Sequence, residues 1–264
     1  MDDSVVVSFE WLADRLDDPE VRVVDVRDGW EFEGIGHLPG AANVPFDRFR
    51  DDGDADRGTL PGADAFAALL SEAGIERGDT LVAYDDTFGV FAARFLVTAH
   101  EYGHPDVRLL AGDYSAWSRE RETTTNAPAF ESTTYEPDPL ASAESPLVDR
   151  AAVEDAIEEG ALPVDTRDPR EFAQAHLPGA VRFDWREVVD EERRRLRPRE
   201  EVRDLLADSG IAPDRRIVLY CNTARRISHT FVVLRWLGFE DVGFYEGSLA
   251  EWLAADGAVE TGGE

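Results

Sequence analysis

Short apolar runs alternate with longer amphipathic stretches along most of the chain. The apolar runs have the length and the β-branched content that are typical of buried strands. They cover residues 21–25, 81–84, 107–110, 162–165, 217–220 and 242–245. The helical patterns between them cover residues 64–73, 92–102, 200–208 and 227–237. Strands separated by helices predict an α/β fold, with mostly parallel sheets that have helices on both faces.

The chain also contains a long internal repeat. Segments 24–41 and 164–180 both carry an Asp-x-Arg pair followed by His-Leu-Pro-Gly-Ala, and the second copy is one residue shorter. Three later segments recur in the same order. They are 80–85, 103–107 and 112–117, which match 216–221, 238–242 and 247–252. Four landmarks in one order indicate two homologous domains.

The repeat divides the chain into two domains and a connection. We predict one domain over residues 1–122, a linker over 123–144 and a second domain over 145–264. The linker is rich in Thr, Pro, Glu and Ser and lacks apolar periodicity, which is typical of connecting segments. A path over the surface of one domain is compatible with this composition.

The composition is strongly acidic. Among the 264 residues are 56 acidic and 27 basic side chains, every basic one an Arg, for a net charge of −29. Such a surface repels nucleic acids and anionic membranes, so we expect neither as a partner. An acidic interaction surface and adaptation to a salty cytoplasm are two interpretations of this charge. Because the charge is dispersed along the whole chain, we favour adaptation to salt and a halophilic protein.

Two features bear on the location of the protein. No apolar run reaches the ~18 residues that a membrane-spanning helix needs. The start of the chain, residues 1–4, is acidic and lacks the basic and apolar regions of a secretory signal. We therefore expect a cytoplasmic protein.

The chain has one cysteine, Cys221, and its counterpart in the first copy of the repeat is Asp85. The thiol is therefore a feature of one domain and not of the shared fold. Cys221 follows the predicted strand 217–220 and precedes a short loop and a helix start. The amides and dipole of a helix N-terminus, together with Arg225 and Arg226, favour the thiolate, which is the nucleophilic form. We predict a reactive cysteine and an anionic substrate.

Two motifs that occur in both copies are predicted to be structural. Asp165 and Arg167 follow a predicted strand, as do Asp25 and Arg27 in the first copy, and a charge pair that closes the strand end explains both. His176, in the His-Leu-Pro-Gly-Ala segment, has a counterpart in the domain that lacks a cysteine. A structural role for this histidine is therefore favoured over catalysis.

The loop and the repeated segments together resemble the rhodanese family. The loop over residues 220–230 reads Tyr-Cys-Asn-Thr-Ala-Arg-Arg-Ile-Ser-His-Thr. The family also carries the Asp-x-Arg segment, the His-Leu-Pro-Gly-Ala segment and a closing Gly-Ser-x-x-Glu-Trp, here residues 247–252. The resemblance covers nearly the whole chain and includes the tandem form whose first domain has lost its cysteine. It implies a non-catalytic rhodanese-like domain over 1–122 and a catalytic one over 145–264.

The resemblance implies a thiosulfate sulfurtransferase. The Cys221 thiolate would attack the outer sulfur of thiosulfate, and sulfite would leave. A thiophilic acceptor, cyanide or a thiol, would then take the sulfur from the Cys221 persulfide. The resemblance implies no metal and no organic cofactor, and the expected partners are the small anionic donor and the acceptor. We expect a monomer.

The resemblance also implies which residues bind the substrate. With Cys221 as the catalytic residue, they are Arg226, Arg170, Arg225, Thr223, Asn222 and Ala224. Arg226 stands five places after Cys221, where many family members carry an Arg, and Arg170 lies near the place of a second substrate-binding Arg. Ala224 stands where the family usually has Gly, so we expect its backbone to avoid left-handed angles.

Three alternative functions were compared with this one. A 3-mercaptopyruvate sulfurtransferase would use the same cysteine with another donor. A non-enzymatic sulfur or redox sensor would need only a reactive Cys221, and turnover with thiosulfate separates it from an enzyme. A related phosphatase fold has a loop one residue longer, with Arg six places after Cys. Here that position is Ile227, which favours sulfur transfer.

We predict that stability rises steeply with salt. At molar salt the screening length falls to about 3 Å, which removes most of the self-repulsion among surface charges. Thermal melts in dilute buffer and in molar potassium chloride check this prediction. Equal melting temperatures would contradict adaptation to salt and would leave the acidity to be explained by a binding partner.

Overall fold

The computed structural model describes residues 5–51 and 59–263. The expectation about a secretory signal rests on residues 1–4, which lie outside this part.

In the first half, five strands form one sheet. They are β1 (Val6–Val7), β2 (Val21–Asp25), β3 (Ala42–Asn43), β4 (Thr80–Tyr84) and β5 (Val107–Leu110). Their order is β1-β5-β4-β2-β3, and each neighbouring pair is parallel. The helices are α1 (Phe9–Ala13), α2 (Gly29–Gly34), α3 (Ala63–Glu72), α4 (Val90–Glu101) and α5 (Tyr114–Ser118).

The second half repeats this arrangement. Its sheet consists of β6 (Leu147–Val148), β7 (Leu162–Asp165), β8 (Val181–Arg182), β11 (Ile217–Tyr220) and β12 (Val242–Tyr245). The order β6-β12-β11-β7-β8 is again parallel throughout. The helices are α6 (Arg150–Glu158), α7 (Pro169–Gln174), α8 (Arg199–Asp208), α9 (Arg225–Leu237) and α10 (Ser248–Ala254). The second half also contains a small antiparallel hairpin, β9 (Val189–Asp190) with β10 (Arg195–Leu196).

The predicted fold class is confirmed, since both halves are parallel sheets with helices on both faces. Alternate side chains of a strand point to opposite faces, and β4 demonstrates this division. Leu81 and Ala83 join the apolar cluster on the side of α3 and α4. Val82 and Tyr84 join the cluster on the side of α1 and α5. A strand buried on both faces must be apolar throughout, which explains why continuous runs predicted these strands correctly.

The two halves share one apolar cluster. It contains buried residues of both sheets, and α4 of the first half packs against α9 of the second. The ring of Trp185 lies 6.5 Å from that of Phe88 and 5.5 Å from that of His229. Burial lowers the pKa of His229 to about 4, so this ring is neutral within the contact. Arg94, itself buried, forms an ion pair across the boundary with Glu246.

The β9–β10 hairpin makes a second connection between the halves. Arg194, between β9 and β10, binds Asp113 at 2.6 Å and Asp86 at 3.1 Å, both in the first half. Its guanidinium also lies 4.5 Å from the centroid of the Phe88 ring. Asp86 and Phe88 belong to the loop after β4, so the halves meet where the loops that follow their central strands begin.

The predicted linker runs over the surface of the first half. Thr124 pairs with the backbone of His37. Further along, the buried hydroxyl of Tyr135 lies 2.9 Å from Nδ1 of His104. The backbone N–H of Asp138 donates to the carbonyl of Tyr102 at 3.0 Å. The segment is therefore attached to one half along its length, while the domain boundaries at 122 and 145 stay predictions.

Candidate active site

Cys221 lies at the carboxyl end of β11, the central strand of the second sheet. Loops at this edge of a parallel sheet usually carry the functional residues. The backbone N–H of Cys221 donates to Ser248 Oγ at 3.2 Å, and its carbonyl accepts the N–H of Leu249 at 3.0 Å. The residue is 1% exposed. The start of α10 therefore binds the backbone of Cys221, and the thiol lies at the beginning of the loop 221–226.

The loop turns through a left-handed residue. Ala224 has φ of 67° and ψ of −19°, so the expectation that an alanine would avoid such angles is wrong. Phe88, its counterpart in the first half, also has a positive φ, 58°. The turn from strand to helix therefore requires this conformation whichever residue is present. For a residue with a Cβ atom the cost is roughly 1–2 kcal/mol.

A series of hydrogen bonds connects the loop to the Asp-x-Arg segment. Arg167 pairs with Asp165 at 2.6 Å, which confirms the predicted charge pair at the strand end. The same guanidinium donates to Asn222 Oδ1 at 3.2 Å. Asn222 Nδ2 in turn donates to Glu171 Oε1 at 2.7 Å. The orientation of the Asn222 amide is thus determined by a cation on one side and a carboxylate on the other.

Arg226 faces the same carboxylate. Its two terminal nitrogens donate to Glu171, Nη1 to Oε2 at 2.5 Å and Nη2 to Oε1 at 3.0 Å. Burial alone would lower the pKa of Arg226, but the hydrogen bond to Glu171 and the interaction with Cys221 raise it above its ordinary value. The side chains of Arg226 and Glu171 are 31% and 23% exposed, so this is a partly buried ion pair.

The other predicted substrate-binding residues lie in different environments. Thr223 is half-buried, and its carbonyl accepts the N–H of Arg225 at 2.9 Å. The exposed Arg225 lines a cavity of about 320 Å³ that is otherwise formed by the first half. Arg170 is exposed on α7, and its side chain makes no ion pair or hydrogen bond within the described part of the chain. The structure brings Cys221, Asn222 and Arg226 together and leaves Arg225 and Arg170 at the periphery.

In the first half a carboxylate takes the place of the thiol. Asp85 accepts backbone N–H groups from Thr87 at 2.7 Å, Gly89 at 2.8 Å, Phe91 at 2.7 Å and Ala92 at 3.1 Å. Burial raises the pKa of Asp85 above its ordinary value, although these four donors oppose the shift. The loop of this fold therefore directs a set of N–H donors toward the residue that ends the central strand.

The equivalent N–H groups of the second half belong to Thr223, Arg225, Ile227 and Ser228, and that of Arg225 donates to the carbonyl of Thr223. The side chain at the strand end is there a thiol. Donors at the start of a helix favour negative charge on an atom that they surround. The internal comparison thus indicates that this loop stabilises an anionic sulfur.

The repeated histidines have the structural role that the sequence predicted. His176 Nδ1 lies 2.9 Å from the carbonyl oxygen of Phe172, and the two rings stack with centroids 3.8 Å apart. In the first half, His37 makes the same contacts with Phe32, at 2.9 Å and 3.7 Å. Each histidine also pairs through its backbone with a later segment of the chain, His37 with Thr124 and His176 with Glu260.

Two residues of the site were not predicted, Glu171 and Ser248. The spacing Asp168-x-x-Glu171 is that of a capping box, so the sequence explains Glu171 as a residue of a helix start. It gives no sign of the second contact of Glu171, which is with Asn222 and Arg226. Ser248 opens α10 and has a positive φ of 51°. Its hydroxyl donates to the carbonyl of Tyr245 at 2.9 Å and so presents its oxygen to the Cys221 amide.

Within residues 5–51 and 59–263, no cluster of three or more His, Cys, Asp or Glu side chains has a geometry suited to a metal ion. No helix in these ranges is long and apolar enough to cross a membrane.

Comparisons with known proteins match the whole of this arrangement. A family model described as rhodanese-like domain matches residues 8–120 and 149–255. A thiosulfate sulfurtransferase of Corynebacterium glutamicum is 34% identical and aligns with 94% of this chain and 87% of its own. A protein of Haloferax volcanii is 33% identical, over 98% of this chain and 96% of its own. The solved structure of SseA from Escherichia coli, a 3-mercaptopyruvate sulfotransferase, has a TM-score of 0.81 at 24% identity, over 93% of this chain and 98% of that chain, and bears on the fold alone.

We predict that Asp85→Ala destabilises the protein without affecting the chemistry at Cys221. The substitution leaves four N–H groups without their acceptor, two of them buried and two partly buried, and we expect a loss on the order of 3 kcal/mol in the free energy of unfolding. Denaturant unfolding measures this loss, and sulfur-transfer assays measure the turnover of the folded fraction. Asp85→Asn, which keeps one acceptor oxygen, should lose less. An alanine variant as stable as the parent would contradict the structural role of Asp85.

Proposed function

The chain belongs to the rhodanese family, and from this we propose that it is an enzyme that transfers sulfane sulfur from thiosulfate to a thiophilic acceptor through a persulfide on Cys221. One observation carries the proposal. The only thiol of the chain ends a central strand beneath a loop whose counterpart in the first half directs four N–H donors at a carboxylate. A loop of this kind stabilises the negative charge of a thiolate before the reaction and of a persulfide after it.

In the first step the Cys221 thiolate attacks the outer sulfur of thiosulfate. A sulfur–sulfur bond forms to Cys221 while the bond between the two donor sulfurs breaks, and sulfite leaves with the electron pair of that bond. Charge is conserved, because a thiolate and a dianion give a persulfide anion and a sulfite dianion. No proton is transferred, so this step requires no general acid or base.

The loop amides hold the product of this step. In the first half the equivalent donors lie 2.7 to 3.1 Å from the oxygens of Asp85, two bonds beyond its Cβ atom. A persulfide places its outer sulfur at the same number of bonds from Cβ. We therefore assign the N–H groups of Thr223, Ile227 and Ser228 to the outer sulfur of the Cys221 persulfide. Ala224 contributes through its left-handed backbone, which turns these groups inward.

The arginines act on the anionic donor. Arg226 is half-buried in the loop and keeps N–H groups beyond those that Glu171 occupies, so it is assigned to the sulfonate oxygens of the donor. Asn222 supports Glu171 and adds a polar edge to the loop. Arg225 and Arg170, both exposed, would attract the donor at longer range.

In the second step the acceptor takes the outer sulfur. Cyanide attacks this sulfur, the bond to Cys221 breaks, and the products are thiocyanate and the original thiolate. A thiol acceptor reacts in the same way and becomes a persulfide. The partners proposed for this protein are thus a small anionic donor and a thiophilic acceptor. We also propose a cytoplasmic monomer that binds neither nucleic acid nor membranes. The halophilic character suggested by the acidity fits the relative in Haloferax volcanii.

3-Mercaptopyruvate is the second candidate donor. Its carboxylate carries one negative charge where thiosulfate carries two. The pairing of Arg226 with Glu171 favours the lower charge, since the carboxylate offsets much of the positive potential of the guanidinium. A direct comparison of the two donors decides between these substrates.

We predict that Cys221→Ser abolishes sulfur transfer and leaves the fold intact, since the substitution changes one buried atom. Mass spectrometry after treatment with thiosulfate should find one added sulfur on Cys221 of the parent protein and none on the variant. A serine variant with full turnover would refute the persulfide mechanism.

We predict that Arg226→Ala lowers kcat/KM for thiosulfate. If the charge of Arg226 acts mainly on the departing sulfite, the loss of transition-state stabilisation is on the order of 2–4 kcal/mol. Steady-state kinetics with cyanide as acceptor measure this loss. Arg225→Ala is a matched control, because it removes the same charge from the adjacent, exposed position and should cost less. Equal losses in the two variants would mean that Arg226 acts only through the net charge of the loop.

A further inference from the structure

We infer that Glu171 sets the charge preference of the site for its sulfur donor, disfavouring a dianion more than a monoanion. The inference rests on the proposed function, which supplies the sulfur donors. The contacts of Glu171 carry the rest of it. It assigns a specificity-determining role to a residue that the family resemblance did not identify.

The contacts of Glu171 converge on the catalytic loop. The carboxylate accepts from both terminal nitrogens of Arg226, at 2.5 Å and 3.0 Å, and from Asn222 Nδ2 at 2.7 Å. It also accepts the backbone N–H of Asp168 at 3.3 Å. With a side chain that is 23% exposed, Glu171 is only partly screened by solvent. The negative charge is therefore felt at short range by any anion that Arg226 binds.

The first half separates the capping role of this glutamate from its role at the loop. Glu31, its counterpart on α2, makes the same capping contact, with the backbone N–H of Asp28 at 3.3 Å. The positions equivalent to Asn222 and Arg226 are Asp86 and Val90. A carboxylate and an apolar side chain offer no donor to Glu31. The capping box is thus common to both halves, whereas the contact with the loop occurs only beside Cys221.

The consequence for the donor follows from charge. Arg226 and Glu171 together have no net charge, so a donor that approaches the guanidinium also approaches the carboxylate. The repulsion from Glu171 is proportional to the charge of the donor and is about twice as large for a dianion as for a monoanion. The other charged groups near this pair are Asp165, which pairs with Arg167 at 2.6 Å, and Asp168, whose backbone N–H donates to Glu171. Arg170 and Arg225 are exposed. Glu171→Gln leaves these side chains in place and removes one charge.

The test is Glu171→Gln, with Glu31→Gln as the matched control. Glutamine is also a capping-box residue, so both variants retain their helix starts. We measure kcat/KM for thiosulfate and for 3-mercaptopyruvate with the same acceptor. In Glu171→Gln the ratio of the thiosulfate value to the 3-mercaptopyruvate value should rise about tenfold in dilute buffer, as expected for removal of one charge at short range. The rise should shrink in molar potassium chloride. Glu31→Gln should leave the ratio unchanged.

A second measurement does not depend on sulfur transfer. Because Cys221 is the only thiol, its alkylation by anionic iodoacetate and by neutral iodoacetamide reports the potential at the sulfur directly. The rate ratio of iodoacetate to iodoacetamide should rise about threefold in Glu171→Gln and stay constant in Glu31→Gln.

The outcomes distinguish this inference from the proposed function. A wild-type protein that does not turn over thiosulfate would refute the proposed function, and the alkylation ratio would still test the role of Glu171. Equal losses with both donors in Glu171→Gln, with no change in the alkylation ratio, would show that Glu171 only positions the loop and would overturn the inference. An equal change in Glu31→Gln would also overturn it.

Discussion

Buried backbone N–H groups must find an acceptor, and this requirement organises both halves of the molecule. The loop after β4 turns several N–H groups toward Asp85, the residue that follows the strand. Asp85 accepts four of them. In the second half the equivalent loop follows Cys221, and we assign its N–H groups the same direction. The fold thus supplies a region of positive potential at this position. With Asp85 the potential stabilises the fold, and with Cys221 it stabilises an anionic sulfur.

This arrangement has a conformational cost that both halves bear. Phe88 and Ala224 adopt positive φ at the same point of the turn, although neither is the glycine that such angles favour. The strain is tolerated because the strand before the loop and the helix after it are both buried in the apolar cluster that the two halves share. Packing of α4 against α9 therefore does more than join the halves, since it holds both helix starts in the positions that the loops require.

The central part of the fold could be predicted from the sequence, and the edges could not. Strands buried on both faces are continuous apolar runs, which need no context to be recognised. The edge strands β3 and β8 have two residues each and depend on pairing with a neighbour, for which no local pattern exists. The conformation of Ala224 is imposed by the loop as a whole, so residue preference gave the wrong answer. Glu171 was visible as a capping residue, but its contact with Asn222 and Arg226 depends on where the fold places α7 relative to the loop 221–226.

Electrostatics at two ranges explain how so acidic a chain can accept an anion. The excess surface charge acts over long distances, and at molar salt it is screened beyond about 3 Å. The contacts of Arg226 with Glu171, at 2.5 and 3.0 Å, lie within that length and persist. The loop amides that we assign to the sulfur carry no net charge that counter-ions could neutralise. In salt, therefore, the amides provide the most constant stabilisation of an anionic sulfur, while the effect of Glu171 on the choice of donor is strongest in dilute buffer.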